Sequence, residues 1–542
     1  MMAAVAPLHL GAGVLLALAA WLLPRRIALA RRVNLLVLLL DMAPIALGAG
    51  LLGLATGRPI FAGLLMLALG AGLALVDYTM RETLREPVVF SATAELPQVF
   101  THPQLYLPFA GPGLVLGGAA GAILGGLALL VLEPPLWPPR PIAAIAAVAL
   151  IAVGGWIVGH EPLLGTAADA LRRLAPSGEP FADAASFGPF AMLLVHTMIA
   201  RAERKVRQRN LAAPAVVEER GGGPVGDSGR PIIIVQCESF FDVRRLSPRI
   251  PRDLLLGYAS CCASAALFGR LAVPAWGAYT MRAEFAVLSG VPESELGYDR
   301  FNPYYALARV PLESQVWRLR RAGYRTICLH PFDRRFFRRD LALPALGFES
   351  FLGRDALGGS RAPPYCPDPE LAGDILRVLD EEGPRTFIFA ITMGNHGPWL
   401  AKTPPIDPAV AGIFDPAETV EHGELLRYLD GLRGSDEMLR VLMEGLSRRG
   451  SSAVLAFYGD HLPSLGTAFR HFGFDESSSD YAIWPGIGAP QPRDLYAHEL
   501  GRLIVDAVLG VAPGEAEHGA ATAPALDLGA CLAIRQLASS GR

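Results

Sequence analysis

The chain has 542 residues, more than a single domain of ~150 residues needs. Hydrophobic residues make up 52%, charged residues 18%, and mean hydropathy is +0.35, which excludes a wholly water-soluble enzyme. The net charge of −3 lacks the basic excess of a nucleic-acid binder, so no nucleic-acid partner is expected.

Five apolar stretches come first: Leu8–Leu23, Val33–Ala55, Pro59–Val76, Leu105–Leu132 and Ile142–Val158. Several approach or exceed the ~20 residues that cross a bilayer core. The first lacks a basic leader and is followed by further apolar segments, so it is expected to be a retained helix rather than a signal peptide. Met80–His102 is polar and is expected at the interface. Phe187–Ala200 is shorter and runs into a basic end, Arg201 to Arg207, which reads as an interfacial helix facing headgroups; the alternative is a sixth span.

Loop charge and chemistry disagree about orientation. Arg25, Arg26, Arg31 and Arg32 point to the cytoplasm under the positive-inside rule. With five spans, the C-terminal half then lies there too. A sixth span reverses this, and so does a first segment that does not cross.

A Gly/Pro-rich linker, Glu218 to Arg230, separates the halves. The expected domains are therefore 1–160 membrane, 161–230 interfacial helix and linker, 231–512 catalytic, and 513–542 a tail. From Pro231 the pattern becomes short β-branched runs: Pro231–Gln236, Arg325–His330, Thr386–Thr392 and Ala453–Tyr458. They alternate with amphipathic stretches at Leu312–Ala322, Pro369–Glu382 and Glu421–Arg448. Such alternation predicts an α/β domain with a mostly parallel sheet. Six cysteines, Cys237, Cys261, Cys262, Cys328, Cys366 and Cys531, show no metal-ligand spacing and read as mostly buried thiols.

Ligands of open α/β sheets bind at strand carboxyl ends. Polar groups collect there: Glu238 after the first run, Asn395 and His396 after the third, Asp460 and His461 after the fourth. Two carboxylates and an imidazole suit a hard or borderline cation. Thr280 ends the small-residue turn Trp276-Gly277-Ala278-Tyr279-Thr280, ahead of the helical Met281–Leu288. A hydroxyl at a helix N-terminus is favoured as a developing alkoxide, and a metal would activate it as a nucleophile. His330 ends the second run and reads as a pocket residue or a satisfied loop histidine. Asp333, Arg334, Arg335 and Arg338 form a charged loop, either solvated or headgroup-binding.

The motif set resembles the lipoteichoic acid synthase-like phosphoglycerol transferases of the alkaline phosphatase and sulfatase superfamily. It comprises Glu238-Ser239-Phe240, Thr280 with Glu284-Phe285 and Leu288-Ser289-Gly290, Phe336-Phe337-Arg338-Arg339-Asp340, Asn395-His396-Gly397-Pro398, and Tyr458-Gly459-Asp460-His461. The resemblance covers roughly Pro231 to Trp484. It implies a polytopic α-helical membrane domain followed by an α/β domain with helices on both faces of a mostly parallel sheet. It implies a divalent cation on Glu238, Thr280, Asp460 and His461, Mn²⁺ before Mg²⁺ or Zn²⁺. Thr280 would be the nucleophile and His396 the acid/base. Arg339 would contact the substrate phosphate, with Phe337, His330, Asp340 and Asn395 also in the substrate site. Phe337 stands where the family often has Trp, which removes an indole donor.

The implied reaction moves phosphoglycerol from a phosphatidylglycerol-type donor, through a threonine-linked intermediate, to a glycan, glycolipid or polymer acceptor. The implied location is a bacterial inner membrane, multi-pass, with an extracytoplasmic catalytic domain. No C/S-x-P-x-R motif surrounds Thr280, so sulfate ester hydrolysis is not expected. The alternatives are a phosphoethanolamine transferase, a phosphodiesterase or phosphatase with the same residues, and a non-catalytic membrane scaffold.

Overall fold

The computed structural model describes residues 2–31, 34–213, 229–307, 310–358, 365–399, 406–415 and 422–511. Most of the expected linker at 218–230 and the tail at 513–542 lie outside these residues. The chain forms two compact units, Met1–Val206 and Arg207–Arg542.

In the first unit five helices are long and apolar enough to cross a membrane: Ala6–Ile27, Leu35–Thr56, Pro59–Leu84, Pro112–Leu132 and Pro141–Gly159. Their surfaces carry exposed Leu116, Ile123, Val131 and Ile151, as lipid-facing helices require. The acids among them have partners. Asp41, fully buried, accepts from Arg25 Nη1 at 2.7 Å, Trp21 Nε1 at 2.7 Å and the Ala191 N–H at 3.1 Å. Glu133 accepts from the Ile60 and Phe61 N–H groups at 2.9 and 2.8 Å, satisfying open donors at the start of the third span. Arg25, at the end of the first helix, is thus bound to the acid of the second.

The segment read as Phe187–Ala200 is a longer helix, Pro189–Asn210. Its Ala191, Met192, Val195 and Ile199 are at most 2% exposed. Protein therefore covers the apolar face of the segment that the sequence pattern reads as interfacial. His196 Nε2 lies 2.7 Å from Asp183 on the same buried side.

The second unit holds a nine-stranded sheet in the order β4-β3-β5-β1-β6-β7-β2-β8, with β9 also pairing β2. The strands are β1 Ile232–Cys237, β2 Leu267–Ala272, β3 Arg325–Leu329, β4 Ser350–Leu352, β5 Thr386–Ile391, β6 Val454–Gly459, β7 Ser479–Trp484, β8 Gln491–Pro492 and β9 Leu495–Tyr496. From β4 to β6 every pairing is parallel; β7 runs antiparallel to β6 and to β2. The four strands expected from β-branched runs are the parallel centre. β2 and β7 escape that pattern because Leu267–Ala272 contains Gly269 and Arg270, and Ser479–Trp484 begins Ser-Asp.

Alternate residues of the central strands serve two apolar layers. Ile233, Val235, Ile388, Leu455 and Phe457 join the core with helices Asp368–Glu382 and Gly423–Arg448, through Ile375, Leu379, Leu429 and Leu439. Helices Thr280–Ser289, Gln315–Arg321 and Ala497–Leu509 pack together elsewhere in the unit. Among the described residues the five cysteines are free thiols.

β1 and β6 pair with Cys237 opposite Gly459. A Cβ on Gly459 would sit 1.8 Å from the Phe240 carbonyl oxygen, so the backbone that leaves β1 fills the space a side chain needs. Gly459→Ala is expected to cost about 1–3 kcal/mol, read as a lower thermal midpoint with the bound-cation increment also reduced.

Candidate metal and nucleophile site

Glu238 leaves the end of β1, and Asp460 and His461 leave the end of its neighbour β6. All three are buried, and their ligand atoms lie within 4.8 Å of one another. His461 Nε2 is 3.3 Å from Asp460 Oδ2 and 3.6 Å from Glu238 Oε1.

Each ligand is aimed by a second contact. Ser239, at φ +56, donates its N–H to Asp460 Oδ1 at 2.8 Å and its hydroxyl to Glu238 Oε1 at 2.8 Å. One residue in a left-handed turn therefore fixes both carboxylates. The Glu238 N–H donates to Thr392 Oγ1 at 3.0 Å. His461 Nδ1 faces the Leu462 carbonyl at 3.0 Å. A carbonyl only accepts, so Nδ1 carries the proton and Nε2 keeps its lone pair toward the carboxylates.

Two atoms in this cluster, Asp460 Oδ2 and His461 Nε2, are buried with no hydrogen-bond partner. Burial, then the Asp460 charge, push Glu238 up to about 8. Orphaned acceptors and crowded carboxylates are costly alone and are relieved by a divalent cation. The donor set of two carboxylates and one neutral imidazole fits such an ion.

Thr280 is the first residue of its helix and is 7% exposed. Tyr279 before it has φ +62, and Gly290 at φ +73 ends the helix. The turn leading to Thr280 is tied to the segment after His461. Gly277 N–H donates to the Leu462 carbonyl at 3.0 Å, and Ser464 Oγ donates to the Gly277 carbonyl at 3.0 Å. The hydroxyl stands on a helix N-terminus joined to the ligand segment.

His396 is partly buried, with Nδ1 2.6 Å from the Gly397 carbonyl and its ring 5.2 Å from Tyr365. Burial lowers its pKa, opposed by that carbonyl and by Asp460. Neutral His396 offers Nε2 as an acceptor. Its loop is held from below, where the Gly394 N–H donates to Asp368 Oδ1 at 2.8 Å and Ser435 Oγ donates to Asp368 Oδ2 at 2.7 Å.

The other expected substrate residues are less open. Arg339 is 1% exposed. Its Nε and Nη2 lie on the Glu284 carboxylate at 3.1 and 2.9 Å, and its Nη1 is 3.2 Å from His330 Nε2. A phosphate would have to displace one of these bonds. His330 is fully buried, with Nδ1 3.2 Å from the Ile391 carbonyl, so both its nitrogens have partners. Burial and then Arg339 hold its pKa well below the ordinary value. Phe337, at φ +55, lies 5.3 Å under the Arg339 guanidinium and is packed rather than open. Asp340 is half-buried at the start of the helix that follows. Asn395 accepts from Trp399 Nε1 at 3.0 Å, while its Nδ2 is a buried donor with no partner.

Sequence reasoning missed Ser239, Thr392, Asp368 and Glu284 as positioning residues. Glu284 and Ser239 were visible only as motif letters; the contacts that give them roles link distant parts of the chain.

Comparison with known proteins places these features. Residues 263–490 match the sulfatase family. The capsular polysaccharide biosynthesis protein RkpI of Rhizobium meliloti is 31% identical over 423 residues, covering 74% of this chain and 73% of that protein. The integral membrane lipooligosaccharide phosphoethanolamine transferase A of Neisseria meningitidis is similar in structure, with a TM-score of 0.50 at 14% identity over 92% of this chain and 95% of that one. The Streptococcus pyogenes phosphoglycerol transferase GacH in complex with sn-glycerol-1-phosphate gives a TM-score of 0.40 at 20% identity over 59% of this chain and 86% of that one.

Saturating Mn²⁺ is expected to raise the thermal midpoint of the purified chain. At ~100-fold excess over Kd the gain is ~2.7 kcal/mol. Asp460→Asn and His461→Ala should lose most of that increment in differential scanning calorimetry, whether or not activity is assayed.

Proposed function

Because the chain belongs to the sulfatase family of the alkaline phosphatase superfamily, we propose that it is a membrane-anchored, metal-dependent phosphoglycerol transferase. The carrying observation is the pair of orphaned acceptors, Asp460 Oδ2 and His461 Nε2, beside Glu238 and linked by hydrogen bonds to the turn before Thr280. The headgroup choice rests on the motif set. The capsular polysaccharide relative supports an extracytoplasmic glycan as acceptor.

A bound divalent cation would stabilise charge on the phosphate oxygens and favour the ionised Thr280 hydroxyl. The chain's own groups do the rest. The N-terminus of helix Thr280–Ser289, which has no side-chain cap, would turn its positive end to the reacting phosphate. Thr280 Oγ1 forms a bond to the headgroup phosphorus, and the bond from phosphorus to the diacylglycerol oxygen breaks. His396 Nε2 takes the threonine proton and returns it to the departing oxygen. In the second half an acceptor hydroxyl attacks the phosphorus. Its proton passes through His396 to Thr280, which is released. Ser239 holds both ligand carboxyl groups and Thr392 holds the Glu238 backbone N–H throughout.

The deciding experiment is intact-mass analysis of the full chain incubated with phosphatidylglycerol and Mn²⁺. A glycerophosphate adduct on the wild type, absent from Thr280→Ala, with diacylglycerol released, is expected. An adduct formed only from phosphatidylethanolamine would move the assignment to that headgroup. Neither adduct nor diacylglycerol across a panel of divalent metals would refute the proposal.

His396 also sets a pH expectation. Its neutral form is the working base, and its pKa lies below the usual 6.5. Activity should hold as pH falls to 6.5 and decline only below it. The profile is read at saturating Mn²⁺, because Glu238 without the ion is pushed up to about 8 and limiting metal would add its own acid limb. An acid limb at or above 6.5 that persists as Mn²⁺ is raised would contradict the assignment.

A further inference from the structure

Three arginines at the carboxyl edge of the sheet share an arrangement that the catalytic scheme leaves unused. Arg334 lies over Phe351 at 5.1 Å, Arg338 over Tyr305 at 4.2 Å, and Arg354 over Phe332 at 5.2 Å. Arg334 and Arg354 are exposed and Arg338 is half-buried. Among the described residues none of the three guanidinium groups has a carboxylate partner, whereas Arg339 next to them is consumed by Glu284.

The three come from the loops that leave β3 and β4. Those loops touch, since a Cβ on Gly353 would sit 2.6 Å from Arg334 Cγ. The aromatic base of Arg354 leads back to the site. Phe332 is 6.4 Å from Tyr365, and Tyr365 is 5.2 Å from His396. The Arg354 charge also acts on His330 and Tyr365. Arg354 therefore lies toward the proposed acid/base, Arg334 joins it through the touching loops, and Arg338 precedes Arg339, whose Nη1 meets His330.

A guanidinium laid on a ring keeps its N–H edge outward and loses little freedom on binding. That edge matches two oxygens of a phosphate or phosphodiester. The chain carries five membrane-length apolar helices, so the phosphodiester present at high local concentration is that of the lipid itself.

We propose that Arg334, Arg338 and Arg354 form a capture rim for the phosphodiester of anionic phospholipids, holding the donor headgroup beside the catalytic site. This deepens the transferase reading and rests on it for its meaning. The rim is a set of binding residues; the reacting bonds are left to Thr280 and His396.

The test uses the full chain in phosphatidylcholine nanodiscs carrying increasing phosphatidylglycerol. R334Q/R338Q/R354Q should raise the KM for phosphatidylglycerol about ten-fold or more, as a loss of roughly five-fold per arginine at an anionic surface allows, with kcat changed far less. R354Q alone, on the exposed loop, should raise it about two- to five-fold. In native mass spectrometry of the detergent-solubilised chain, the wild type should retain phosphatidylglycerol over phosphatidylcholine, and the triple variant should lose that preference. This binding readout survives even if the wild type turns over no phosphatidylglycerol, an outcome that would sink the transferase reading and not the rim. Unchanged KM and unchanged lipid retention overturn the proposal. A variant that keeps its lipid preference but loses binding to polygalacturonate also overturns it, in favour of an acidic glycan.

Discussion

A buried ion pair between Glu284 and Arg339 holds the catalytic half together at its most demanding point. Glu284 is fully buried four residues into the helix that begins with Thr280, and Arg339 begins the helix that follows the β3 loop. Tyr304 donates to Glu284 at 2.6 Å, and Gln236 of β1 reaches it at 3.5 Å. Tyr458 of β6 then donates to Gln236, and Arg339 extends the chain to His330. The helix that begins with Thr280 is therefore fastened to the two strands that lead to Glu238, Asp460 and His461. Desolvation makes such a pair a poor source of net stability, but losing one partner strands a charge at roughly 3–5 kcal/mol. Its value here is location, since it fixes where Thr280 stands.

The pair also explains what could be read from the sequence and what could not. β1, β3, β5 and β6 were legible because their residues are buried on both faces and so form unbroken apolar runs. β4, β8 and β9 are two or three residues long and carry no period. The clustering of Glu238, Asp460 and His461 was legible because all three follow the ends of such runs. Arg339 and His330 were harder. Both read as polar groups near a phosphate, yet each is held by partners far away in sequence, Glu284 and Ile391. No local pattern announces those contacts. Ser239 was hidden for a different reason, because its role depends on a left-handed backbone that a serine does not advertise.

The membrane half teaches the same lesson in reverse. Hydropathy located the five helices of membrane-crossing length, but a tally of loop arginines does not show the pairs they form. Arg25 is bound to Asp41 and lies over Trp21 at 5.0 Å. An acid inside an apolar helix is tolerated when paired. Fold class follows from periodicity, which carries no record of such a pair.

The pairing of Cys237 with Gly459 has a consequence for how this enzyme could diversify. Glu238 and Asp460 follow that pair directly, so the gap between the two carboxylates is set by the spacing of adjacent strands, ~4.8 Å. A slip of one residue would turn every side chain of a strand to the opposite face and dismantle the cluster at once. The cluster is thus all-or-nothing, with no gradual route to a wider or narrower gap. The loop after β4 carries no such lock, whereas the loop after β3 is anchored where Arg339 meets Glu284. Charges on their exposed parts, such as Arg334 and Arg354, can change while the strand pairing stays fixed, so new substrates can be explored at the rim without altering the cluster.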